Sequence, residues 1–147
     1  MHDFKSFPEL TNNQMSIYYF QSPHKQITES FGAKVVKVSD GDTVRVSCSF
    51  RDFEFPIRIA EIAAPELSEG GHDSKYWLQS KIEGEEVYVV VDRNNRVGRY
   101  GRLIGKIMFA GMDVGNQSLN AGKSVPFDQR KDAMMPNLDL IIGRAFK

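Results

Sequence analysis

The sequence has a single cysteine, Cys48. It can form neither an internal disulfide nor a cysteine-paired zinc site, and its expected place is as a small residue within a strand. Long apolar runs are lacking: stretches such as Val89-Val90-Val91 and Ile62-Ala63-Ala64-Pro65 last only a few residues, against the roughly 20 that a membrane-spanning helix needs. Neither sign of charge prevails, since nineteen Lys and Arg cancel nineteen Asp and Glu. That balance argues against a protein that coats nucleic acid by global charge. The opening Met1-His2-Asp3-Phe4-Lys5-Ser6-Phe7-Pro8 lacks the basic start and continuous apolar stretch of a secretory signal, so a cytoplasmic location and no membrane partner are expected. Internal repeats and low-complexity tracts are missing as well, which excludes solenoids and long linkers.

What is present is the material of one ordinary domain. The chain has 147 residues, 41% hydrophobic and 26% charged, enough to bury a core without disulfides or a structural metal. The charges are unevenly distributed. Residues 92–106 carry Arg93, Arg96, Arg99, Arg102 and Lys106 against Asp92 alone, while residues 61–73 carry Glu61, Glu66, Glu69 and Asp73 with no Lys or Arg. A basic hairpin and an acidic loop follow, and on charge alone both also read as ordinary solvated surface.

Residues 1–30 read as an N-terminal extension packing on a barrel, and residues 31–147 as the main domain. In the extension, Ser6-Phe7-Pro8-Glu9 could open a short helix and Ile17-Tyr18-Tyr19-Phe20 suits a strand. From Ala33 the pattern sharpens. Ala33 to Val38 and Thr43 to Cys48 are strands joined at Asp40-Gly41, a third strand runs from Phe53 to Ile62, and a helix from His72 to Ile82 is spaced by Tyr76 or Trp77, Leu78 and Ile82. Further strands are expected from Glu86 to Asp92 and from about Gly101 to Phe109, with helices near Val114 to Ala121 and Asn137 to Phe146. Three strands, a helix, two strands and a helix, mostly hairpin-linked, fit a β-rich α+β chain. The expected architecture is a five-stranded barrel of the oligonucleotide-binding (OB-fold) kind with two or three helices.

Three segments could carry chemistry. In Ser39-Asp40-Gly41-Asp42-Thr43 two carboxylates stand two apart and could offer oxygens to a hard cation, although Asp-Gly is equally a favoured hairpin dipeptide. In Arg58-Ile59-Ala60-Glu61-Ile62-Ala63-Ala64-Pro65-Glu66 a strand arginine precedes a carboxylate beyond the strand end. A guanidinium fork can bind two phosphate oxygens, and a carboxylate can accept a proton from water. In Arg99-Tyr100-Gly101-Arg102 an arginine enters a strand beside a tyrosine able to stack or hydrogen-bond. Taken singly, each segment is more often a surface ion pair than a site.

In this order the three segments resemble the staphylococcal nuclease, or thermonuclease-like, family over roughly Ala33 to Phe127. Its pattern runs Asp-Gly-Asp-Thr, then Arg-(x)4-Asp-(Ala or Thr)-Pro-Glu, then Tyr-Gly-Arg. The resemblance implies a nuclease hydrolysing phosphodiester bonds of DNA or RNA with Ca²⁺. It implies Asp42 as a direct Ca²⁺ ligand, with Asp40 close by, and Ala64 as the donor of a backbone carbonyl. Glu66 would be the general base, Arg58 and Arg102 the pair that holds the phosphate and stabilises its transition state, and Tyr100, with Arg99 beside it, a neighbour of the nucleotide. The sequence departs from the pattern at Ala63, where the family places a second metal-binding Asp, at Gly98-Arg99, where an acid is expected, and at Gly115, in place of a common Asn. The Ca²⁺ site is therefore expected to be weakened or altered; Glu61 and Asp73 are the alternative ligands, with a strand surface charge and a helix cap as their plainer roles.

Two other functions remain open. One is a catalytically inactive module binding nucleic acid or protein, like the nuclease-like repeats of Tudor-staphylococcal nuclease, through the basic 92–106 hairpin. The other is protein–protein assembly through the aromatic extension around Tyr18 to Phe20. The expected state is a monomer, and no histidine is needed: His2, His24 and His72 match no position of the family pattern.

Overall fold

The computed structural model describes residues 2–65, 71–98 and 101–127. Within them, β1 (Phe31–Asp40), β2 (Thr43–Cys48) and β3 (Arg51–Ile59) form an antiparallel meander, followed by the two-residue β4 (Ile62–Ala63). Helix α2 (Gly71–Ile82) comes next, then β5 (Glu86–Val90), β6 (Leu103–Phe109), the short β7 (Met112–Asp113), α3 (Val114–Asn120) and β8 (Val125–Pro126). Strand β5 pairs with both β1 and β6, and β6 also pairs parallel with β3, from Ile57 opposite Leu103 to Ile59 opposite Gly105. That last pairing closes β1, β2, β3, β6 and β5 into a five-stranded mixed barrel of the OB-like kind. No described helix is long and apolar enough to cross a membrane.

Period-two alternation sets the core. Phe31, Ala33, Val35 and Val38 of β1, Val44 and Val46 of β2, Phe55, Ile57 and Ile59 of β3, Val87 and Val89 of β5 and Leu103 and Ile107 of β6 are all buried in one cluster. Alternation breaks in β1 at Val36 and Lys37, both exposed, where a register shift against β2 marks a bulge. Helix α2 lays Ser74, Leu78 and Ile82 on the barrel at i, i+4, i+8. Tyr76, offered by the sequence as part of that face, is 60% exposed.

The structure corrects the reading of the extension. Residues Asn12–Tyr18 form helix α1, not a strand over Ile17 to Phe20, and a short 3₁₀ turn follows at Tyr19–Gln21. The decisive signal is a capping box. Thr11 Oγ1 accepts the Gln14 N–H and Gln14 Oε1 accepts the Thr11 N–H, satisfying two helix-end donors that aromatic β-propensity does not offset. Ser6 opens no helix: its N–H and that of Lys5 are taken by the Asp3 carboxylate in a turn. The third strand also stops earlier than expected, at Ile59, because Glu61 adopts φ 70° and turns the chain before β4. The helix expected at Asn137 to Phe146 lies outside the described residues.

The extension is tied to the barrel by a buried ion triad. Glu9 pairs through Oε1 with Arg51 Nη2 at 2.5 Å and through Oε2 with Arg96 Nη2 at 3.3 Å, all three side chains being 1–2% exposed. Arg96 further donates to the carbonyls of Ile27 and Leu10 and to Asn12 Oδ1. Arg51 donates to the Lys25 carbonyl, and its guanidinium carbon lies 4.5 Å from the Phe55 ring centroid and 5.0 Å from that of Phe53. Residues 9–12 and 25–27 are thereby fixed on β3 and on the turn before β6.

Candidate phosphate site

The candidate site lies where the β1–β2 turn meets the ends of β3 and β4 and the start of β6. Strand register does the first part of the assembly. Thr43 stands directly opposite Arg58 across β2 and β3, and Arg58 stands opposite Ile104 across β3 and β6. Arg102, two residues before Ile104, shares that side of the sheet by the two-residue period of side chains. Three adjacent strands thus bring Thr43, Arg58 and Arg102 together from positions up to 59 residues apart.

Hydrogen bonds complete the cluster. Asp42 Oδ2 accepts the Ala64 N–H at 2.8 Å and lies 3.3 Å from Arg58 Nη2. Its Oδ1 accepts the Thr43 hydroxyl at 3.1 Å, and Thr43 Oγ1 in turn accepts from Arg102 Nη1 at 3.2 Å. The main chain of Asp42 is held at both ends: its N–H donates to Asp40 Oδ1, and its carbonyl accepts the Ile59 N–H. Arg58 Nη1 donates to the Ile59 carbonyl at 2.6 Å, and the Phe127 ring centroid lies 5.4 Å from the guanidinium carbon.

Gly41 makes this turn possible for a reason the Asp-Gly dipeptide did not reveal. Its φ is not positive; what it supplies is space. A Cβ there would come within 2.7 Å of the Ala64 Cβ and would also collide with Ser74. Ser74 is itself buried and bonded to the Lys123 carbonyl. The turn is therefore wedged between β4 and α2, which fixes Asp42 against Ala64.

The two carboxylates respond oppositely to being side by side. Asp40 is pushed up to about 6, by burial first and then by the hydrogen bond and negative charge of Asp42. For Asp42, burial also opposes ionisation. The hydrogen bond from Asp40, the Arg58 charge and the bonds from Ala64 and Thr43 outweigh it and hold Asp42 below the ordinary carboxylate range.

Of the sequence-derived site residues, Asp40, Asp42, Arg58, Ala64 and Arg102 meet here, while Glu66, Arg99 and Tyr100 lie outside the described residues. The part Ala64 plays is seen in its N–H, donated to Asp42. The sequence alone assigns no role to Thr43 or Phe127. Thr43 was visible in the Asp-Gly-Asp-Thr run, whereas nothing in the sequence tied Phe127 to Arg58.

A Ca²⁺ ion takes six to eight oxygens, and the described residues do not fit it. Asp40 and Asp42 are the carboxylates at the turn, both Asp42 oxygens have protein partners, and the buried Ala63 side chain has no oxygen to add. No three His, Cys, Asp or Glu side chains group as a metal site among the described residues. Glu61 and Asp73 are directed elsewhere, to Lys106 at 3.7 Å and Lys123 at 2.6 Å.

The basic hairpin is also less of a surface than its composition suggested. Arg96 is buried in the triad, Arg102 is part of the turn cluster, and Lys106 pairs with Glu61.

No protein-family model matches the chain, and no curated protein matches it.

Proposed function

We propose that this barrel is a nuclease-like domain that binds a phosphodiester of DNA or RNA at the Asp42–Thr43 turn and hydrolyses it. The observation that carries this reading is the convergence of two guanidinium groups, Arg58 from β3 and Arg102 from just before β6, on one carboxylate–hydroxyl pair. Fork-shaped donors suit the oxygens of a phosphate, and two of them from different strands suit the charge that develops on those oxygens in the transition state. The proposed step is in-line attack of a water on phosphorus. Glu66 takes the proton of that water, Arg58 and Arg102 donate to the equatorial oxygens, and the sugar oxygen leaves with a proton from solvent. Because the described carboxylates do not make a Ca²⁺ cage, no part of this step is assigned to a metal.

The test is cleavage of single-stranded DNA and RNA by the purified protein, with added Ca²⁺ and with chelator. Cleavage that disappears in Glu66→Gln and in Arg58→Ala supports the proposal. Wild-type rates equal to those of Glu66→Gln on both substrates remove it.

A second reading, a binding module without catalysis, is favoured by Ala63, buried where the family pattern has an acid. It expects nucleic-acid affinity that falls steeply with salt and persists undiminished in Glu66→Gln with no cleavage by either protein.

A further inference from the structure

Resting on that reading of the site, we propose that Asp42 is a positioning residue that presets a two-arginine phosphate clamp able to work without a divalent cation. It holds Arg58 directly and Arg102 through Thr43. The Asp42 carboxylate is spent on protein partners at both oxygens: the Ala64 N–H and Arg58 on one, the Thr43 hydroxyl on the other. A hydroxyl has one proton to give and lone pairs to receive. Thr43 gives its proton to Asp42 and receives Arg102 Nη1, so the order of Asp42 passes to the second arginine. The main chain of Asp42 is fixed by Asp40 and Ile59, and the wedge of Gly41 against Ala64 and Ser74 leaves the turn little room to shift.

This carboxylate, 13% exposed, needs a positive neighbour, and Arg58, 14% exposed, supplies that charge. Ala63, next to the Ala64 whose N–H holds Asp42, has only a buried methyl as its side chain. Each guanidinium carries its N–H donors in a rigid fork, so contacts to Asp42 and Ile59 for Arg58, and to Thr43 for Arg102, orient the plane before a ligand arrives. Pre-ordering of this kind lowers the entropic cost of capture. The ligand class is a phosphate group of a nucleic-acid strand, whose oxygens match the fork.

The two possible roles of Asp42 differ in sign. If Asp42 is a metal ligand, then in chelator it is only a negative charge beside the phosphate, and Asp42→Asn tightens binding. If it positions the arginines, Asp42→Asn weakens binding although a repelling charge has been removed.

The experiment measures the affinity of wild type, Asp42→Asn, Thr43→Val and Arg58→Ala for a 5′-phosphorylated trideoxynucleotide, in EDTA and in millimolar Ca²⁺ or Mg²⁺. Melting curves on the same samples establish that each variant is folded. Wild-type affinity is expected to agree within threefold with and without cation, Arg58→Ala to lose tenfold or more, and Asp42→Asn in EDTA to lose fivefold or more. The Arg58 Nη proton resonances are expected to be distinct in wild type and to average in Asp42→Asn, a change that general loss of stability does not produce in a folded protein.

Cation-dependent tightening beyond threefold overturns the proposal while leaving phosphate binding at the site intact. Unchanged or tighter binding by folded Asp42→Asn overturns it equally. If Asp42→Asn does not fold, Thr43→Val decides on the same criterion. No binding by wild type under any condition overturns the phosphate site itself.

Discussion

The Asp42 carboxylate lies 3.3 Å from the Arg58 guanidinium, across the ends of two paired strands, with each side chain about one-seventh exposed. In that setting each partner offsets part of the other's lost hydration, Arg58 acting on Asp42 beside the hydrogen bonds from Asp40, Ala64 and Thr43. Arg58→Ala is expected to cost about 1–3 kcal/mol of stability and to lower turnover on single-stranded DNA by about 10²–10³-fold. Arg58→Lys keeps the charge but loses the fork, so it should recover stability better than turnover. Urea unfolding and kcat/KM on one oligonucleotide separate the two effects, and equal recovery of both would show that only charge matters at this position.

Gly41→Ala is expected to disturb the site without touching any charged group. The new methyl meets Ala64 and Ser74, and overpacking of this kind costs about 1–3 kcal/mol. Since the displaced partner is Ala64, whose N–H holds Asp42, binding of phosphate should weaken too. Thermal melting and the trideoxynucleotide titration check this, and a variant with wild-type stability would mean the turn is looser than the packing implies.

Far from the site, Glu9 compensates two buried guanidinium groups at once. Glu9→Gln leaves both without a full counter-charge and is expected to destabilise the fold by about 3–5 kcal/mol. Replacing Glu9, Arg51 and Arg96 together by apolar residues of similar volume should cost much less, because no orphaned charge remains. Denaturant midpoints of the single and triple variants test this; a triple variant as unstable as the single one would contradict it.

Stability should also depend on pH through Asp40. Its folded pKa of about 6 lies above the ordinary aspartate range, so its protonated form favours the folded state. That contribution is complete below about pH 4 and is lost as pH rises through about 6. Asp42 has the opposite sign: held low by its partners, it stabilises above about pH 4 and loses that effect as pH falls. Asp40→Asn removes the first effect and should gain on wild type by on the order of 1–2 kcal/mol between pH 4 and 7, less than the full shift would give because water reaches part of the group and screens it. Urea midpoints across that range measure the difference, and a constant offset between the two proteins would refute the assignment.

The parts of this molecule written in local pattern were legible in the sequence. Alternation gave β1, β2 and the barrel strands, and the resemblance carried by three short segments singled out Asp42, Arg58 and Arg102, which strand register does bring together. What stayed hidden depends on tertiary context. Arg96 looks like one more charge of a basic hairpin until Glu9, 87 residues earlier, buries it. Gly41 looks like a turn glycine, although what it provides is space for a neighbouring element. The aromatic run at Ile17 to Phe20 suggests a strand, but the reciprocal cap of Thr11 and Gln14 ahead of it sets a helix instead. That both Asp42 oxygens are committed to protein partners needed the geometry.

Whether Arg58 and Arg102 grip the same phosphate is measured most directly by a double-mutant cycle. Affinities for the 5′-phosphorylated trideoxynucleotide are determined for wild type, Arg58→Ala, Arg102→Ala and the double variant. Coupling of about 0.5–3 kcal/mol between the two substitutions is the expected result, as for residues sharing one partner. Losses that add within about 0.3–0.5 kcal/mol would contradict it, placing the two guanidinium groups in separate sites.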